Sequence, residues 1–296
     1  MITATQARSG KSHRDENFPV ASRLVHPRHR GPILAFYRFV RAADDIADHP
    51  KLTPKEKLAM LDALANALTG RGPADPEAEP LKAALAERGL TPRHALDLVD
   101  AFRMDATKRR YADWSELMHY CSLSAMPVGR FVLDVHGETP QTTWPPSDFI
   151  CAALQVINHL QDCADDFRNL DRVYLPLDTL ERYGARAEDL AGDASTPGLK
   201  AAIADLAERS LSLLRDGSAL PDLVADTRLA LEIAAIHRLA IVLAGRLRRR
   251  DPLSQNVHHG KAGFLVIALA AAAGTLMRRP FHRRSFAGLA AGTRGR

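Results

Sequence analysis

Apolar positions along the chain recur at three- and four-residue intervals, and no stretch alternates as a half-buried strand would. The pattern predicts a first helix over 32–48, carried by Ile33, Leu34, Phe36, Tyr37 and Val40 and stopped by Pro50, whose ring cannot continue the hydrogen-bond ladder. Thr53-Pro54-Lys55-Glu56 reads as a fresh start, with Thr53 as N-cap and Pro54 in the first helical position. Thr91-Pro92 repeats the device, after a Gly/Pro/acid loop from Gly70 to Pro80. Two helical segments are expected between Trp114 and Leu133. Thr139 to Pro146 reads as a proline-rich break, with Ser147-Asp148 capping a helix that continues to Phe167. Beyond a loop from Gly192 to Gly198, long helical patterns flank Asp216-Gly217 and Pro221. The apolar run from Ala262 to Met277 is shorter than the roughly 20 residues a spanning helix needs. It is expected to be a buried core helix, and any contact with a bilayer would be made lying on its surface.

The breaks are short and no fixed-period repeat appears, so one all-α domain over residues 16–277 is expected. A loose polar segment, 1–15, precedes it and a basic disordered tail, 278–296, follows it. Hydrophobic residues make up 46% of the chain and charged residues 25%, which suits a folded globular protein. Ala and Leu dominate over β-branched residues, which reinforces helix. Cys121, Cys151 and Cys163 form no CxxC and no paired framework, and no apolar leader follows the first charges, so a reduced, cytoplasmic setting is expected. The formal charge of +5 is concentrated in Arg246-Leu247-Arg248-Arg249-Arg250 and in the tail. That placement suits an anionic substrate, or peripheral contact with the inner membrane surface. Without interleaved aromatics or a recognisable nucleic-acid motif, nucleic acid is not an expected partner.

Two acidic stripes carry the candidate chemistry. Asp44 and Asp48 are four residues apart and share a helix face, where like charges repel by a few tenths of a kcal/mol unless something compensates. Arg41 and Tyr37 extend the stripe, one turn and two turns earlier. Gln155, Asn158, Asp162 and Asp166 follow the spacing i, i+3, i+7, i+11, with Val156, Ile157 and Leu160 between them, so this face belongs to a packed helix. Carboxylates on a packed face are costly without a cation or hydrogen bonds. A hard divalent cation with oxygen ligands answers both stripes if they meet across a helical bundle, and it would hold a diphosphate between them. Arg41, Lys108, Arg109 and Arg172 are candidates for the remaining phosphate charge.

These residues resemble the squalene/phytoene synthase family over roughly Asn17 to Arg250. Asp44–Asp48, with Tyr37 and Arg41 before it, is similar to the family's first DxxxD motif. Asn158, Asp162 and Asp166 are similar to the second, and Arg172-Val173-Tyr174-Leu175-Pro176 to the R-x-Y-L-P segment that follows it. The stretches Asp105 to Tyr111 and Tyr120 to Gly129 also fit. The resemblance implies an isoprenoid-synthase helical bundle with a central cavity. It implies two or three Mg²⁺ held by Asp44, Asp48, Asp162 and Asp166, with Asn158 completing or orienting that shell. Arg41, Lys108, Arg109, Arg172 and Asn17 would meet the diphosphate of an isoprenoid substrate, while Tyr37, Arg41 and Tyr174 would serve the catalytic step. Phe39, Met126, Val128 and Phe131 are candidates for the apolar wall, or plain core.

Many members carry an H-S-K-S-F-like segment where this chain has Glu16-Asn17-Phe18-Pro19-Val20-Ala21-Ser22. That departure, with Ser124-Ala125-Met126-Pro127-Val128-Gly129, resembles the hydroxysqualene-forming branch of hopanoid biosynthesis. It implies Mg²⁺-dependent conversion of presqualene diphosphate to hydroxysqualene, without nicotinamide, and neighbouring enzymes of the same pathway as partners. The alternatives are head-to-head condensation of two prenyl diphosphates and a non-catalytic scaffold. A helical metal phosphohydrolase ranks last, because His119, His258 and His259 do not sit at a ligand-like spacing with the acidic pairs.

Overall fold

The computed structural model describes residues 25–260 and 266–277, and among them the chain is helical with no named strand. Asn17, the Glu16–Ser22 departure and the expected segments 1–15 and 278–296 fall outside the described residues. Helix α1 (Pro27–Asp48) begins five residues earlier than the sequence pattern predicts, because Pro27 occupies its first turn and the His26 imidazole caps it. Pro32 therefore lies inside the helix, where its ring removes the donor that would meet the Arg28 carbonyl. Arg88 Nη2 donates to that carbonyl instead. Thr53 caps α2 (Pro54–Thr69) as expected, and with Glu56 it also completes a capping box, each side chain bonding the other's backbone N–H. Next come α3 (Glu79–Arg88) and α4 (Arg93–Thr107), where Pro92 is the N-cap and not the first helical residue.

After α5 (Trp114–Ser124) and α6 (Met126–His136), the expected proline-rich break is instead the start of α7 (Pro140–Gln161). Pro145 and Pro146 sit within its first two turns. Tertiary anchors outweigh the lost backbone bonds: Trp144 Nε1 donates to Asp134 at 3.0 Å, and Thr143 and Ser147 are buried. Ser147 is thus no cap, and Asp148 pairs with Arg130 at 2.5 Å. The helix expected to run to Phe167 bends at Asp162 and resumes as α8 (Cys163–Leu170). Hydrogen bonds bridge the bend, from Asp162 N–H to Asn158 O and from Asp166 N–H to Asp162 O. The remaining elements are α9 (Leu177–Arg182), a 3₁₀ turn at Ala187–Ala191, α10 (Pro197–Asp216), α11 (Leu220–Leu223) and α12 (Thr227–Leu247).

Two apolar clusters build the core. One gathers Phe36, Phe39, Leu61 and Leu98 from α1, α2 and α4. The other gathers Ile150, Ile157, Leu206 and Leu243 from α7, α10 and α12. Val132 on α6 packs against both, and the functional cavity draws its walls from both. At the end of the bundle where α1 and α12 start and α6 stops, the rings of His29 and His136 lie 4.1 Å apart. Burial, helped by His136, Arg28 and Arg88, lowers the His29 pKa to about 4.

The run 262–277 is corrected in one respect. Residues 266–277 are helical, yet Val266, Leu269, Leu276 and Met277 are exposed. Apolar residues occur on both faces of this segment, so periodicity alone could not tell a core helix from a surface one. No helix among the described residues is long and apolar enough to cross a membrane.

Candidate active site

A cavity of about 580 Å³ opens between the two clusters, and its lining separates into an acidic end and an apolar end. The acidic end comes from the last turns of α1 and from the α7–α8 bend. Tyr37, Arg41, Asp44 and Asp48 line it from α1, and Asn158, Asp162 and Asp166 from the opposite wall. The bend at Asp162 keeps the second stripe on the cavity although the helix itself is interrupted. Ile33, Phe36, Leu98, Leu154, Ile233 and Ile236 are among the residues of the apolar end.

Arg41 divides its guanidinium between Asp44 and Asp45, each at 3.0 Å. Asp45, adjacent to the motif, is buried and so belongs to this ion pair and not to the cavity. Arg172 meets Asp48 at 2.7 Å and is itself buried. It gets there because Asp171 takes a left-handed conformation (φ 51°) that turns the chain out of α8. The following residues then run beside Arg109–Ala112, with Val173 N–H bonding Arg109 O at 2.9 Å. Lys57 Nζ and Arg172 both donate to the Ala47 carbonyl at the end of α1. Two cations thus hold the end of α1 that carries Asp48.

Negative charge nevertheless remains in excess. Burial, and then the neighbouring Asp48, push the Asp44 pKa up to about 7, with Arg41 opposing them. Burial and then Asp166 raise that of Asp162. Carboxylates held this way on facing walls suit a divalent cation with oxygen ligands, and Asn158 adds a neutral oxygen beside them.

Behind the acidic end, Tyr174 and Gln155 belong to a network whose other members, Asp105, Tyr120 and His159, were not assigned to the site from the sequence. Asp105 accepts hydrogen bonds from Tyr120 at 2.6 Å and from Tyr174 at 2.8 Å, and burial raises its pKa. The His159 ring stacks on Tyr174 with centroids 3.6 Å apart, and Gln155 contacts His159 at 3.1 Å. Tyr174 is placed on the cavity as expected, but its hydroxyl is committed to Asp105. The i, i+4 pair Gln155 and His159 was the available signal for this network.

Two expected phosphate ligands are placed elsewhere. Lys108 pairs with Glu116 and lies over the Tyr111 ring, and Arg109 donates to the Leu170 carbonyl at 2.8 Å. Neither is among the cavity-lining residues. Of the four wall candidates, Val128 lines the cavity. Phe39 and Phe131 are core, Phe131 stacking on the lining residue Phe36 at 4.0 Å, and Met126 packs against the second cluster.

The sequence profile of the squalene/phytoene synthase family matches residues 11–262. The hydroxysqualene synthase of Rhodopseudomonas palustris is 55% identical over 281 residues, which cover 95% of this chain and 96% of that protein. The hydroxysqualene synthase of Zymomonas mobilis is 47% identical, covering 93% of each chain. Among solved structures, the squalene synthase HpnC from Alicyclobacillus acidocaldarius shares 32% identity with a TM-score of 0.69, covering 78% of this chain and 87% of that one. A dehydrosqualene synthase solved with a ligand shares the fold at 19% identity, with a TM-score of 0.75, over 88% of this chain and 91% of that one.

Proposed function

Because the chain belongs to the squalene/phytoene synthase family, we propose that it converts presqualene diphosphate to hydroxysqualene. The observation that carries this reading is the two-ended cavity, with Asp44 and Asp48 facing Asn158, Asp162 and Asp166 above an apolar chamber. The likeness to hydroxysqualene synthases over nearly the full chain supports the choice of substrate.

Asp44, Asp48, Asn158, Asp162 and Asp166 would hold Mg²⁺, which when bound would supply the positive charge that makes diphosphate a better leaving group. Arg41 and Arg172 stand ready to exchange a carboxylate partner for phosphate oxygens as the substrate enters. Breaking the carbon–diphosphate bond leaves a cyclopropylcarbinyl cation in the chamber, where Tyr37, a lining residue, would stabilise the developing charge through its ring. The apolar wall excludes bulk water until the cation has rearranged. One water then forms the new C–O bond and loses its proton, giving the alcohol.

An anionic membrane surface is part of the same reading. The exposed apolar face of 266–277 is followed in sequence by Arg278, Arg279, Arg283 and Arg284, a charge complement to anionic headgroups. Such a surface would also hold the poorly soluble isoprenoid substrate.

The deciding experiment incubates protein and Mg²⁺ separately with presqualene diphosphate and with farnesyl diphosphate, and identifies the lipid by mass spectrometry. Hydroxysqualene from presqualene diphosphate alone is expected. Product from farnesyl diphosphate alone would replace this reading with head-to-head condensation.

A further inference from the structure

We propose that His29, His136 and Asp226 form a transition-metal site at the end of the bundle remote from the acidic stripes. One nitrogen from each imidazole and one carboxylate oxygen lie within 4.8 Å of one another. The three residues come from three elements: the first turn of α1, the last residue of α6 and the N-cap of α12. From His29 to Asp44 is fifteen residues of one helix, about 22 Å, so this cluster is not a part of the active-site carboxylates.

Two of the three ligands, His136 and Asp226, are oriented before any ion arrives. His136 Nδ1 lies 2.8 Å from the Val132 carbonyl, so it carries the proton and leaves the Nε2 lone pair for a metal. Asp226 uses Oδ1 to cap α12, accepting from the N–H groups of Arg228 and Leu229 at 2.8 and 3.2 Å, so Oδ2 is the ligand atom. The backbone on either side is pinned as well, since the Glu138 carboxylate accepts from the N–H groups of Ala225 and Asp226 at 2.7 and 2.8 Å. Two imidazoles and one carboxylate are a donor set for Zn²⁺, Co²⁺ or Ni²⁺, not for Mg²⁺. Tetrahedral coordination draws such atoms together by roughly 1 Å, within the reach of small rotations of the half-buried His136 and Asp226.

Two arginines compete with the ion for His29. Arg28 Nε donates to His29 Nε2 at 2.8 Å, and Arg88 Nη1 lies 3.5 Å from His29 Nδ1. Arg28 is exposed and can swing into solvent when a metal takes its place, whereas Arg88 is also tied to the Arg28 carbonyl. An occupied site would clasp α12, which lines the cavity through Leu229, Ile233 and Ile236, to α1 and α6.

The test uses untagged, full-length protein, stripped with chelator and returned to saturating Mg²⁺ so that the acidic stripes are filled. Co²⁺ is titrated in while visible absorption is followed, and Zn²⁺ is then used to displace it. About one equivalent should bind with the intense bands of a tetrahedral nitrogen–oxygen site. Asp226→Asn, which keeps an oxygen for the cap, and His136→Ala should each weaken binding by at least about tenfold. Arg28→Ala should tighten it by removing the competing cation. Binding unchanged in both Asp226→Asn and Arg28→Ala overturns the site even if His136→Ala fails to fold, as does wild-type protein that takes up no Co²⁺.

Discussion

Asp44 shows what burial does to a metal ligand before the metal is present. Its pKa of about 7 lies well above the ordinary carboxylate value, chiefly because the cavity wall desolvates it and then because Asp48 is one turn away. The charged form is therefore disfavoured in the metal-free protein relative to that of an exposed carboxylate. Stability from that group is complete at acid pH, below the unfolded carboxylate range, and is lost as pH rises through about 7. Cation binding needs the carboxylate and runs the opposite way. The apparent Mg²⁺ affinity should rise about tenfold between pH 6 and pH 8. Thermal unfolding with Mg²⁺ titrated at each pH measures this, and a flat profile would remove Asp44 from the metal shell. Asp162 makes a complementary case, since burial and Asp166 both disfavour its charge. Asp162→Asn should cut diphosphate release at least about 100-fold while leaving stability equal or higher, because the substitution removes a carboxylate that the apo fold tolerates poorly. A parallel fall in melting temperature and activity would mean that Asp162 is structural.

At the scale of elements, the α6–α7 contact controls the shape of the chamber. Gly129 lies on α6 so close to α7 that an added Cβ would come within 2.4 Å of Ser147 Oγ and 2.6 Å of Cys151 Sγ. All three residues line the cavity. Gly129→Ala must push the helices apart or force both side chains off their rotamers. It should cost about 1–3 kcal/mol, read from urea unfolding. An unchanged midpoint would show that Ser147 simply rotates away. The same contact accounts for a misread segment. Pro145 and Pro146 look like a break, but Trp144 bound to Asp134 and the burial of Thr143 and Ser147 hold that stretch in α7.

For the whole molecule, the question is where substrate comes from. The exposed face of 266–277 presents Val266, Leu269, Leu276 and Met277 beside a basic sequence. Leu269→Asp should reduce flotation with anionic vesicles about tenfold or more, the loss expected from withholding one Leu side chain from an apolar phase and replacing it with a like charge to the headgroups. Hydroxysqualene formation from detergent-dispersed substrate should be unaffected. Equal flotation of both forms would exclude this face as the contact.

Much of the site is a matter of spacing, and spacing is written in the sequence. Asp44 and Asp48, and Asn158, Asp162 and Asp166, recur at helical intervals among packed residues, so their shared faces and their need for a counter-charge follow from local geometry alone. The Thr53 capping box and the stop before Pro50 are local in the same sense. What lies between distant residues is not local. That Arg172 pairs with Asp48 depends on the left-handed turn at Asp171, and that Arg109 is spent on the Leu170 carbonyl depends on the chain returning beside it. Asp105 takes its hydrogen bonds from Tyr120 and Tyr174, partners on other segments, so the family-like stretch Asp105 to Tyr111 did not reveal its place in this network. The apolar residues of 266–277 have the same hydrophobicity whether buried or exposed. Only the packing of the other helices decides which, because burial is a property of what surrounds a residue and not of the residue itself.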